Sequence, residues 1–86
     1  MTPTNEARAA ELARINAEIA QRIRVEMTRQ RIGPKALSEA THINLGTLKR
    51  RLGRFRPTSF TPHELLAIGR TLGVDYRDLL PGEDAA

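Results

Sequence analysis

The sequence predicts an all-α chain of five helices arranged around a helix-turn-helix, and three observations predict it. From Asn5 to about Arg31 there is neither Gly nor Pro, and Leu12, Ile15, Ile19, Ile23 and Met27 step by three or four residues, one apolar stripe down one helix. Further on, helix starts share a grammar of an apolar residue, a capping residue, three helix positions and a second apolar residue. The pairs are Ile32/Leu37 around Gly33, Ile43/Leu48 around Asn44 and Phe60/Leu65 around Thr61, each spaced as a hydrophobic staple requires. No stretch offers a strand.

Met1–Thr4 is expected to fray, with Thr4 or Asn5 as the first cap. At ~1.5 Å per residue, a helix from Asn5 to Arg31 reaches ~40 Å, more than so small a domain can cover. The second helix is predicted over Pro34–Ala40, with Pro34 at a first position where its missing N–H costs nothing. A turn over Thr41–Ile43 leads into a third helix, Asn44–Gly53, which carries Lys49, Arg50 and Arg51 with no acid. Arg54–Ser59 reads as a loop. A fourth helix starts at Pro62, with Thr61 and Glu64 forming a capping box, Leu65, Ile68 and Leu72 facing inward, and Gly73 as a left-handed stop. Val74–Leu79 repeats the grammar for a last short helix, ended by Pro81-Gly82. The expected organisation is an amino-terminal helical extension (1–18), a helix-turn-helix domain (19–80) and a tail (81–86).

Eighty-six residues allow one modest core. No cysteine is present, so disulfides and thiolate zinc sites are excluded. Neither a membrane-length apolar run nor a signal peptide is visible, which makes a cytoplasmic protein with no membrane partner the expectation. The net charge of +4 is unevenly spread. Residues 22–56 hold ten Arg and Lys against Glu26 and Glu39, a net of +8, between flanks of −1 (1–21) and −3 (57–86). A basic middle between acidic ends suits a phosphate backbone, although a solvated basic surface has the same composition. Three aromatics, Phe55, Phe60 and Tyr76, are too few for stacking on single strands.

Leu37, Ala40, Ile43, Leu48 and the closing Lys49-Arg50-Arg51-Leu52-Gly53 resemble the lambda-repressor/Cro-like helix-turn-helix family of xenobiotic-response-element type, in its actinobacterial and phage-like branch. The resemblance continues through Phe60-Thr61-Pro62-His63-Glu64-Leu65 and Leu72-Gly73-Val74-Asp75, covering about Ile19 to Leu80. It implies a five-helix lambda-repressor-like fold with an extended first helix, double-stranded DNA as partner and no cofactor. Three positions depart from the family pattern: His42 stands where the turn usually has Gly, Ser38 where a small Ala-like residue is usual, and Pro34 where a Gln often holds a phosphate.

At about 100° per residue, Leu45, Leu48 and Leu52 cluster on one side of the third helix and Gly46, Thr47, Arg50 and Arg54 on the other, with Lys49 and Arg51 on the flanks. Arg50 is the first choice for base readout, since a guanidinium pairs bidentately with guanine; a phosphate contact is its alternative. Asn44, Leu45, Gly46 and Lys49 complete the base-contacting candidates. Asn44 has a cap as its other reading, Leu45 core-edge packing, and Lys49 a phosphate contact. Phosphate contacts are expected from Arg31, Lys35, Thr47, Arg51, Arg54, Arg56, Thr58 and Ser59, with Arg29 also near the flanking backbone.

His42 and His63, without cysteine, give no metal site. No nucleophile with a base, paired carboxylates or phosphate loop supports catalysis, so no enzyme is expected. The reading is a sequence-specific DNA-binding transcriptional regulator, a phage- or plasmid-type repressor, existing as a monomer or weak homodimer through its first helix. Rivals are an excision or replication accessory factor or an antitoxin on the same scaffold, and a protein-interaction module using the long first helix.

Overall fold

The structure, a computed structural model, describes residues 5–53 and 58–81. It contains four α-helices, α1 (Asn5–Gln30), α2 (Pro34–Thr41), α3 (Leu45–Arg51) and α4 (Pro62–Leu72), followed by a 3₁₀ helix at Tyr76–Leu79. Among the described residues there is no strand, and no helix is long and apolar enough to cross a membrane. The expected frayed start and Thr4 cap, Arg54 and Arg56, and the tail beyond Pro81 lie outside the described residues.

The predicted staples act through burial. Leu37, Leu48 and Leu65 are core residues at 0%, 0% and 6% exposure, and their partners Ile32, Ile43 and Phe60 pack against the same cluster. Asn44 caps α3, its Oδ1 accepting from the Thr47 N–H at 3.1 Å. Thr61 and Glu64 form the reciprocal capping box at 3.1 and 2.9 Å. Gly33 precedes α2 in extended conformation with no side-chain cap, and Pro34 follows at the first position.

Helix ends differ from the sequence expectation by a residue or two, for identifiable reasons. Arg31 is not helical but left-handed (φ 58), closing α1 with Ile32 N–H on the Met27 carbonyl at 2.9 Å and Arg31 N–H on that of Thr28 at 3.2 Å. α2 runs one residue further, to Thr41, and His42 supplies the left-handed stop (φ 61). α3 is shorter than Asn44–Gly53, because Asn44 and Leu52 are its caps. The last short helix is 3₁₀, a four-residue turn capped by Asp75. At that length there is little to favour α over 3₁₀ hydrogen bonding.

Gly69 explains how the chain returns. A Cβ there would meet the Val74 carbonyl at 2.9 Å and the Tyr76 nitrogen at 3.3 Å, so only glycine lets the segment after α4 cross it closely. α2 packs on α3 and α4, and α1 packs on α4 and the 3₁₀ helix. From α1 only Ile19, Ala20, Ile23 and Met27 enter the core. Residues 5–14 are all exposed, Leu12 at 58%.

Three side chains of α1 tie other elements by their carboxy-terminal carbonyls. Arg24 donates to Leu52 at the end of α3, Gln30 to Leu72 at the end of α4 and Arg22 to Asp78 in the 3₁₀ helix. A cation or amide at a helix carboxy terminus satisfies an orphan carbonyl and complements the dipole.

Candidate nucleic-acid interface

The exposed side of α3 is assembled from its first residues outward. Asn44 spends its Oδ1 on the cap, which leaves its amide nitrogen unbonded among the described residues. Gly46 is exposed, and a Cβ on it would approach Asn44 Oδ1 at 3.2 Å and an Arg50 guanidinium nitrogen at 4.0 Å. The Arg50 side chain therefore lies back along the helix over Gly46, as helical side chains lean toward the amino terminus, and its guanidinium donates to Thr47 Oγ1 at 3.3 Å. Asn44, Gly46, Thr47 and Arg50 thus form one face, with Arg50 reaching the helix tip. Leu45 is half-buried, between the two roles considered for it.

The flanks separate. Lys49 turns toward α1 and the start of α2, sharing a cleft with Arg24 and Arg31. Arg51 turns toward α4: its guanidinium pairs with Glu64 (3.4 Å) and donates to the Ser59 carbonyl. At 22% exposure, the Arg51 side chain is engaged within the fold, unlike the open phosphate ligand expected from its helical position. Glu64 Oε1 accepts from the Thr61 N–H and forms an ion pair with Arg51, joining the end of α3 to the start of α4.

The basic segment consequently divides into two groups. Arg22 pairs with Glu18 (2.8 Å) and Arg29 with Glu26 (2.7 Å). Arg31, Lys35 and Lys49 are exposed and have no ion-pair partner among the described residues, and Arg50 has only a hydroxyl. The un-neutralised cations are therefore those around α3 and the start of α2. Thr58 and Ser59 are exposed; Ser59 Oγ accepts from Asn16 of α1 at 2.9 Å. Arg54 and Arg56 fall outside the described residues.

The turn is held by two side chains. Ser38 Oγ donates to the Ile43 carbonyl, and Thr41 Oγ1 donates to that of Leu37 at 2.7 Å. Ser38 thus gives the turn a hydrogen bond that an alanine there would lack. His42 and His63 line one groove of about 480 Å³ with Asn44, Thr47, Arg51 and Glu64. Sequence reasoning placed the two histidines separately; that each flanks a helix start next to the basic helix was the available signal. It also missed Arg24, whose carbonyl partner is 28 residues away. Among the described residues no group of His, Asp or Glu could hold a metal ion.

Compared with known proteins, the chain matches no family model, no curated protein and no solved structure.

Proposed function

We propose that this protein is a sequence-specific double-stranded DNA-binding regulator of transcription, a repressor of phage or plasmid type on a lambda-repressor-like scaffold. α3 enters the major groove with Arg50 and Asn44 at base edges and Gly46 permitting close approach. Arg31, Lys35 and Lys49 meet the flanking phosphates. Repression follows from occupying an operator and excluding polymerase. The observation that carries this reading is the un-neutralised face of α3: a short helix, fixed at both ends, whose outward side holds Arg50 over Gly46 with no acid beside it.

A ~10 Å wide helix fits the major groove, and bidentate guanidinium contacts there distinguish guanine. Phosphate neutralisation makes such binding fall steeply with salt, while base readout opens a gap of roughly 10³ or more between specific and random duplexes. Selection of bound duplexes from a random pool, followed by titration at several salt concentrations, tests both. Shallow salt dependence with no enriched sequence would overturn the proposal.

A second reading is favoured by one observation, the exposure of Leu12 at 58% on the amino-terminal half of α1: a protein-interaction module that uses this helix. An excision or replication accessory factor, or an antitoxin, would share the DNA face. Deleting residues 1–14 distinguishes the classes, since DNA binding by α3 survives the deletion and partner binding through α1 does not.

A further inference from the structure

A cleft of about 560 Å³ opens where the end of α1, the start of α2 and the last turn of α3 meet. Met27, Ile32, Pro34 and Leu52 give it an apolar lining, with the buried core residues Met27 and Leu52 at its floor. Arg24, Arg31 and Lys49 stand around it, and no Asp or Glu lines it. Arg31 and Lys49 have no ion-pair partner among the described residues. The two features call for different things. A bare phosphate answers the cations and leaves the apolar lining wet, while a neutral hydrocarbon covers the lining and leaves the cations unanswered. The volume lies within the ~300–1,000 Å³ usual for small-molecule sites, which combine a largely apolar wall with a few placed polar groups.

We propose that this cleft binds small amphipathic organic anions, a carboxylate or sulfonate carried on a ring or branched chain. The anionic head sits between Arg31 and Lys49, and the apolar body rests on Met27, Ile32 and Leu52. The site does not depend on the DNA-binding reading, because every group in it is defined by the cleft alone.

The test is a titration of the full chain followed by amide proton–nitrogen correlation spectra, with three probes at constant ionic strength: anilinonaphthalene sulfonate, its uncharged counterpart phenylnaphthylamine, and inorganic phosphate. The sulfonate is expected to shift amides of 27–32 and 49–53 saturably, and the uncharged counterpart to bind about tenfold more weakly, as loss of one charge-assisted contact implies. Lys49→Ala with Arg31→Ala, both at exposed positions and checked for native spectral dispersion, is expected to weaken the sulfonate at least about tenfold. Phosphate matching the sulfonate in affinity would make this a plain phosphate site and overturn the proposal. So would shifts scattered over the surface, or sulfonate binding that the double variant leaves intact.

Discussion

The guanidinium of Arg24, in the carboxy-terminal third of α1, donates to the carbonyl of Leu52 at the carboxy-terminal cap of α3 and approaches that of Gly53 at 3.5 Å. α3 has only seven residues, too few to hold a helix by itself. Its placement relies on Leu48 and Leu52 in the core, Asn44 at one end and Arg24 at the other. Arg24 is therefore a positioning residue for the proposed interface rather than a ligand of it.

Arg24→Ala removes a charge-assisted donor worth ~1.5–3 kcal/mol where fully desolvated. Water can reach part of this site, so the expected loss is ~1–2 kcal/mol. For a chain of this size that lowers the thermal midpoint by roughly 4–16 °C. Specific and random duplexes should weaken together, because the whole helix loosens and no base contact is removed. A thermal midpoint equal to that of the parent would take Arg24 out of the support of α3.

Arg50→Ala is expected to cost ~1–3 kcal/mol on the selected site and to relax discrimination at about one base pair, leaving stability within ~0.5 kcal/mol. The side chain is exposed and its one partner is the Thr47 hydroxyl, so little of the fold depends on it. Binding titrations against single-base variants of the site read this out. Equal weakening on every sequence would reassign Arg50 to a phosphate.

What the sequence disclosed was local. Ile32/Leu37, Ile43/Leu48 and Phe60/Leu65 are legible because a staple needs only a fixed spacing, and the Thr61–Glu64 box needs only four residues. What it withheld depends on elements meeting. The reach of Arg24 to Leu52, the Arg51–Glu64 pair and the close crossing at Gly69 have no signature in spacing, since each partner lies on a different element. The turn is an intermediate case: His42 stood out as a residue in an unusual place, but its left-handed conformation follows only from the way α2 ends.

His42→Gly follows from that conformation. A non-glycine residue at φ 61 carries ~1–2 kcal/mol of strain, and glycine gives back ~0.4–1 kcal/mol by enlarging the unfolded ensemble. A net stabilisation of ~0.5–1 kcal/mol is expected, visible as a rise in the denaturation midpoint. A fall would mean that the His42 side chain contributes more than its backbone costs.

Asp75 sets an acid limit on the last element. Its carboxylate accepts from the Arg77 guanidinium at 2.8 Å and from the Arg77 N–H at 2.9 Å, and these bonds, the side-chain one first, lower its pKa from 3.8 to about 2. A depressed carboxyl pKa adds stability above the unfolded value that is lost as pH falls through the folded one. The 3₁₀ helix should accordingly keep its cap at pH 4 and lose it toward about 2, and Asp75→Asn should abolish that pH dependence. A carboxyl titration by NMR with its midpoint near 4 would show that the cap does not form in solution.

The first half of α1 poses the last question, because the structure gives it so little to rest on. A 26-residue helix spans ~39 Å, yet its buried residues begin only at Ile19. Leu12 stands 58% exposed and Ile15 packs only at the edge of the core. If two copies pair through this stripe, the two α3 helices are coupled and a duplex with two half-sites binds cooperatively. The apolar gain is limited: ~1.5–3 kcal/mol for each side chain fully buried, and only Leu12 is largely uncovered, against ~4–15 kcal/mol for lost translation and rotation. The expected state in free solution is a monomer or weak dimer, with DNA bringing copies together where two sites lie close. Sedimentation at micromolar concentration, with and without the selected duplex, measures this. A tight dimer without DNA that persists in the Leu12→Glu, Ile15→Glu double variant would overturn both the weak association and the part given to this stripe of α1, which would then be irrelevant to pairing.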